Sequence, residues 1–255
     1  MDANLTQEDG QEAHPTKEIH TFKTPRLTRD MAKKTDWKNT TILLLLALPI
    51  WLLWHTWAIY PVKLLVVFFH ELGHAVAAWL TGGRVAGIQL TAAEGGVCVT
   101  QGGIRVIVLN AGYLGSALFG GLALLWGTRS RRENGGVMAL GIVLSLVALV
   151  FIRPVASFGF LFALVAGALC VVSGWRCPRW FNAGVLQVVG LTSCLYALFD
   201  VLSDIVWRSH AASDAGRLAQ ATHVPAIVWG GLWAVLAGAL AAWFLFRATR
   251  KGSLG

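Results

Sequence analysis

The chain is short of charge. Asp, Glu, Lys and Arg make up 13% of its 255 residues, against a hydrophobic share of 56%. Soluble domains carry about 25% charged residues. So thin a polar coat excludes a soluble globular protein, because one core of this size cannot hide that much apolar surface. Lipid as solvent removes the limit. Cysteine is scarce too. Cys98, Cys170, Cys177 and Cys194 form no Cys-x-x-Cys pair, which excludes a Cys-rich metal site and gives no disulfide framework. Cys170 and Cys194 lie in apolar runs and read as inert buried thiols. There is no internal repeat, no low-complexity segment and no Gly-x-Ser-Gly, so a serine nucleophile is disfavoured. No basic stripe interleaves with aromatics, so the net charge of +8 does not point to nucleic acid. The downstream cations, such as Arg129, Arg131, Arg132, Arg247, Arg250 and Lys251, sit at the ends of apolar runs, where membrane proteins keep them.

Acids are rarest outside the first forty residues. Seven of the 13 lie there: Asp2, Glu8, Asp9, Glu12, Glu18, Asp30 and Asp36. Residues 1–40 lack a sustained apolar period and read as a polar, largely disordered tail. They are not a signal peptide, because the first apolar run begins only near Thr41. The basic residues of this tail favour a cytoplasmic N-terminus. Residues 41–248 read as one transmembrane domain, and 249–255 as a short C-terminal tail. Runs long enough to cross about 30 Å of hydrocarbon fall at roughly 41–59, 62–80, 104–126, 136–152, 155–174, 183–206 and 224–246. Tyr60-Pro61 and Arg153-Pro154 break two longer runs into hairpins, since proline cannot continue a helix without losing a backbone bond. Residues 81–103 differ. Their β-branched residues alternate roughly, with Glu94-Gly95-Gly96 as a turn, and predict a short β-hairpin. Bilayer hydrocarbon cannot satisfy its edges, so it must be sheltered by protein or lie outside the membrane. The expected fold is an all-α polytopic membrane protein of six to seven transmembrane helices, with a short β-hairpin after the second.

Acids and histidines within the apolar runs are few: Glu71, Asp200, Asp204, His55, His70 and His74. Such groups are expensive at membrane depth and call for partners or a function. His70 and His74 are four apart and share one helix face. That spacing lets two imidazoles grip one metal ion, with Glu71 placed to deprotonate a water. This is the His-Glu-x-x-His arrangement of zinc peptidases. The plain alternative, three polar residues satisfying one another, leaves their burial unexplained. A catalytic zinc usually takes three protein ligands. Leu80 stands where one pattern would put a third His. Glu94 and Glu133, the later glutamates, fall in a turn and a basic loop. Asp200 and Asp204 remain, four apart on one helical face. One suits ligation and the other the support of a histidine. Asp200 is favoured because it lies deeper in the apolar run. Ser213-Asp214 reads as a helix cap in the 208–223 loop rather than a ligand. His55, between Trp54 and Trp57, reads as an interfacial histidine. The twelve Trp read mostly as interface anchors.

The apolar helix with Phe-His-Glu-Leu-Gly-His, the Gly-rich hairpin, a small-residue span and a later Asp on a separate span resemble the site-2 protease family of intramembrane zinc metallopeptidases. Asn110-Ala-Gly-Tyr-Leu-Gly-Ser116 and the stretch from Asp200 to Ser213-Asp214-Ala215 resemble its branch called peptidase family fifty B-like. The resemblance covers roughly residues 60–220. The family's usual Leu-Asp-Gly signature is absent, which leaves the third ligand open between Asp200 and Asp204. Asn110 reads equally as a donor to substrate or oxyanion and as packing glue between helices. The resemblance implies zinc as cofactor and hydrolysis of peptide bonds in or near membrane-spanning segments. Its partners are the bilayer and a membrane-protein substrate, with no nucleic acid. Oligomeric state is open. Two other readings are a degenerate, non-catalytic homologue and a proton- or metal-handling transporter. Glu71 discriminates the transporter, which needs no base between two ligands.

Overall fold

The computed structural model describes residues 35–206, 213–250 and 252, with the backbone alone at 198 and 200–206. The first helix, α1 (Trp37–Leu52), is capped by the Asp36 side chain, which accepts from the Asn39 amide at 3.3 Å. It ends at Leu52, short of the expected 41–59 crossing, and residues 53–59 turn instead. Pro61 does not close this element. It opens the next, α2 (Tyr60–Leu80), from its first turn, where a missing N–H leaves no bond unmade. Residues 37–40, expected in the polar tail, form the start of α1, while 1–34 lie outside the described residues.

The hairpin follows. Strand β1 (Arg84–Leu90) pairs antiparallel with β2 (Gly96–Gln101), Arg84 opposite Gln101 and Leu90 opposite Gly96. The turn spans Thr91–Gly95, closed by the Thr91 amide donating to the Gly95 carbonyl at 2.8 Å. Gly96, the last residue of the expected turn, belongs to the strand. Glu94 adopts φ 59°, in the left-handed region. The outer edge of β1 is covered: Ile88 is fully buried, and its carbonyl accepts from the Arg153 amide at 3.1 Å. The shelter that lipid cannot supply therefore comes from the connection between two later helices.

Those helices are α4 (Glu133–Phe151) and α5 (Phe158–Arg176), which pack as a pair after the long α3 (Arg105–Arg129). Then come α6 (Arg179–Val206), a short α7 (Asp214–Thr222) inside the expected 208–223 loop, and α8 (Ala226–Ala248). Helices α2, α3, α4, α5 and α8 are each long and apolar enough to cross a bilayer. On α5 an outward stripe of Leu161, Val165, Leu169 and Val172 is more than half exposed. Water would reject such a stripe, and lipid accepts it.

Helix α2 lies at the centre, buried against α3, α6 and the hairpin. Its contact with α3 is unusually close. A side chain at Gly73 would strike the Ala111 carbonyl and the Gly115 backbone, so only glycine fits. This approach brings the histidine face of α2 against α3. On the far side of α3, Gly120 receives Ser193 of α6 and Gly121 receives the Phe244 ring of α8.

Candidate metal centre

Helical periodicity stacks His70 and His74, with ring centroids 4.8 Å apart. His74 is buried, and its Nδ1 lies 2.7 Å from the Val108 carbonyl of α3. That carbonyl fixes the proton on Nδ1 and turns Nε2 inward, the usual support for a metal-ligating imidazole. The ring of His70 meets Tyr113 edge to face at 4.7 Å. Facing the histidines from α3 is Gly112, where a Cβ would overlap both rings. The space a side chain would take is kept clear at the point on which the two Nε2 atoms converge.

The acid that joins them is Asp214. Its Oδ2 lies 3.1 Å from His70 Nε2 and 3.0 Å from His74 Nε2. One ligand atom from each of the three residues lies within 4.8 Å of the others. Helix α7 delivers it: Ser213 caps the helix by accepting from the Gly216 amide at 3.1 Å, and Asp214 occupies the first turn. The cap reading of Ser213 thus holds, and its neighbour reaches the histidines. Burial pushes the Asp214 pKa up, but hydrogen bonds from the two imidazoles outweigh it and hold the carboxyl below the usual range. Two imidazoles and a carboxylate around one point are a donor set able to hold a metal ion.

Glu71 is buried at 4% exposure and lines the same cavity, beneath β2. A Cβ on Gly96 would overlap its carboxylate, so the strand lies directly on it. The cavity, about 900 Å³, is also lined by Cys98, Thr100, Arg105, Tyr113, Ser116 and Arg217. Burial, then the charges of Glu71 and Asp214, push the Cys98 thiol up to about 12. It stays protonated, a poor nucleophile and a poor ligand.

Asn110 does not line the cavity. Its amide oxygen accepts from Trp233 Nε1 of α8 at 2.6 Å, and its nitrogen donates to the Val106 carbonyl at 2.7 Å. These bonds tie it to α8 and to the preceding turn of its own helix. Asp200 and Asp204 fall on α6, and their side chains lie outside the described residues, as do Trp207, Arg208 and His210. His55 is exposed in the turn after α1, and His223 closes α7 in a left-handed conformation. Asp214, expected as part of a helix cap, lies outside any apolar run. The available signal was its position in the first turn of a short amphipathic helix, in a stretch already matched to the family.

The family model described as Peptidase M50B-like matches residues 42–244. The chain belongs to this peptidase family. It is an integral, multi-pass membrane protein. Peptidases of the wider family depend on zinc in general. No curated protein and no solved structure matches the chain.

Proposed function

We propose that the protein is an intramembrane zinc metalloendopeptidase that hydrolyses peptide bonds in or near membrane-spanning segments. The observation that carries the reading is the convergence of His70, His74 and Asp214 in one cavity with the buried carboxylate of Glu71. His70, His74 and Asp214 are the ligand set, Asp214 taking the place expected of Asp200 or Asp204. A zinc ion held there supplies Lewis acidity toward water and the scissile carbonyl. Glu71 is not a ligand. It holds the attacking water by a hydrogen bond, accepts its proton as the C–O bond forms, and returns a proton to the departing amide nitrogen as the C–N bond breaks. The products are a carboxylate and an amine.

The strand above Glu71 supports substrate binding in extended form. Helical carbonyls are shielded by their own hydrogen bonds, so the scissile segment must unwind. The edge of β2 away from β1 offers main-chain groups for an added strand. Such an arrangement lays the scissile bond along Gly96–Thr100, over the buried carboxylate.

The test uses the full chain with a panel of single-span membrane proteins. Wild type should bind about one zinc and yield a shortened fragment from at least one of them. Glu71→Gln should keep the zinc and lose turnover by about 10² or more, the scale of general-base loss. Asp214→Asn should lose zinc affinity and activity together, while Asp200→Asn and Asp204→Asn keep both. Zinc retained in Asp214→Asn would return the third-ligand role to α6. Absence of cleavage across a broad panel, with zinc bound, would favour the non-catalytic homologue.

A further inference from the structure

Peptide hydrolysis places negative charge on the scissile carbonyl oxygen, and such sites supply a donor aimed at it. Asn110, the residue expected there, is bonded to Trp233 and Val106. The Ser116 hydroxyl donates to the Tyr113 carbonyl, and the Ser213 hydroxyl caps α7. The cavity's cations are Arg105 and Arg217. Arg105 is exposed at the start of α3, whereas Arg217 is half-buried on α7.

Arg217 is three residues after Asp214, one turn along the same helix face. The other face of α7 is fixed by Ala215 and Leu218, both buried against Leu109, Tyr113 and Trp233. The helix is therefore set so that its Asp214 side reaches the histidines and its Arg217 side lines the chamber that holds Glu71. Among the described residues no ion pair joins Arg217 to a carboxylate, unlike Lys63, which pairs with Glu94, and Arg179, which pairs with Glu133. A half-buried guanidinium lining a cavity is costly to desolvate without a partner. Its planar fork of N–H groups fits a carbonyl oxygen that gains charge.

We propose that Arg217 is a catalytic residue that donates to the substrate's scissile carbonyl oxygen as it becomes negative. This rests on the peptidase reading above. It assigns α7 two roles from one turn: an acid for the ligand set and a cation for the reacting group. The interaction strengthens as charge develops, so it acts on kcat more than on KM.

Two measurements test it with the full-length protein in detergent or nanodiscs. The first follows cleavage of a fragment-yielding span from the Glu71→Gln panel. Arg217→Gln should lower kcat by about 10² to 10³, the scale for loss of one such donor. KM should change less than threefold. Arg217→Lys should fall between, because it keeps charge and loses the fork. Zinc content should stay near one per chain in both. The second titrates a phosphinic peptide, whose anionic tetrahedral group mimics the reacting carbon. Arg217→Gln should bind it about 10² times more weakly, and a neutral peptide of the same sequence equally well. A kcat within twofold of wild type, or unaltered phosphinate affinity, overturns the assignment. So does a loss of activity that tracks loss of zinc, since Arg217 then only holds α7 in place. If Glu71→Gln also cuts normally, the peptidase reading fails first. Loss in Glu71→Gln with full activity in Arg217→Gln removes this proposal alone.

Discussion

At the residue scale the site turns on small distances. His70 and His74 were legible because their convergence is local: helical geometry alone aligns residues four apart. Glu71 was legible for the same reason. Asp214 was not, because nothing local ties residue 214 to residue 70. Depth within an apolar run argued for Asp200, whose side chain lies outside the described residues, while Asp214, on a short helix outside the runs, reaches both histidines. Gly112 lies in the small-residue span, where a glycine suits close helix contact. The structure gives it a sharper role, since a Cβ there would overlap both imidazoles. Gly112→Ala should therefore push the rings apart and weaken zinc binding by about 10- to 100-fold, the range seen when a ligand's support is disturbed. The check is zinc affinity by competition with a chromophoric chelator, beside the melting temperature. Unchanged affinity would mean the rings have room to spare.

At the element scale the hairpin is positioned by the helix it covers. The Tyr60 hydroxyl donates to the Ala92 carbonyl at 2.6 Å, and Lys63 Nζ meets Glu94 Oε1 at 2.7 Å. Both anchors rise from the first turn of α2, seven to ten residues before His70. The helix that carries the metal motif thus also fixes the turn from which β2 runs over Glu71. The presence of the hairpin could be read from β-branched alternation and a Gly-rich turn. Its anchoring could not, because Lys63 in an apolar run gives no hint of its partner. The Lys63 side chain is 9% exposed and that of Glu94 28%. Removing one partner of a fully buried pair costs about 3–5 kcal/mol, and the partial exposure of Glu94 lowers this to about 1–3 kcal/mol. Glu94→Ala should destabilise by that amount and raise hydrogen exchange across residues 91–96, with zinc retained. Replacing the pair together, as Lys63→Met with Glu94→Gln, should recover most of the stability, because no charge is left buried alone. Failure of the double variant to recover would show that the pair does not hold the turn.

At the scale of the whole molecule, hydropathy and length gave the membrane class and most of the crossings, because solvation by lipid is a bulk property. They overextended α1 and placed a loop where α7 forms. Helix α7 has nine residues, too few to be stable alone. It is held on one face by Ala215 and Leu218 against α3 and α8, and on the other by Asp214 at the histidines of α2. A metal ion shared by Asp214, His70 and His74 is thus a cross-link between α7 and the central helix, closing the chain across more than 140 residues. Binding to the folded state alone stabilises it by about 2.7 kcal/mol when free zinc stands at 100 times its Kd. For a chain of this size that corresponds to a melting shift on the order of 5–10 °C. Removing zinc from wild type with a chelator should lower the melting temperature by that amount. It should also raise hydrogen exchange across 214–222 more than across α4 or α5, which pack against each other away from the site. Asp214→Asn should start at the lower melting temperature and respond little to the chelator, since its cross-link is already cut. Glu71→Gln should respond as wild type does, because it removes a base and not a ligand. If zinc leaves, as shown by metal analysis, while α7 keeps its protection and the melting temperature stands, the ion does not join α7 to α2, and the third ligand must be sought on another element.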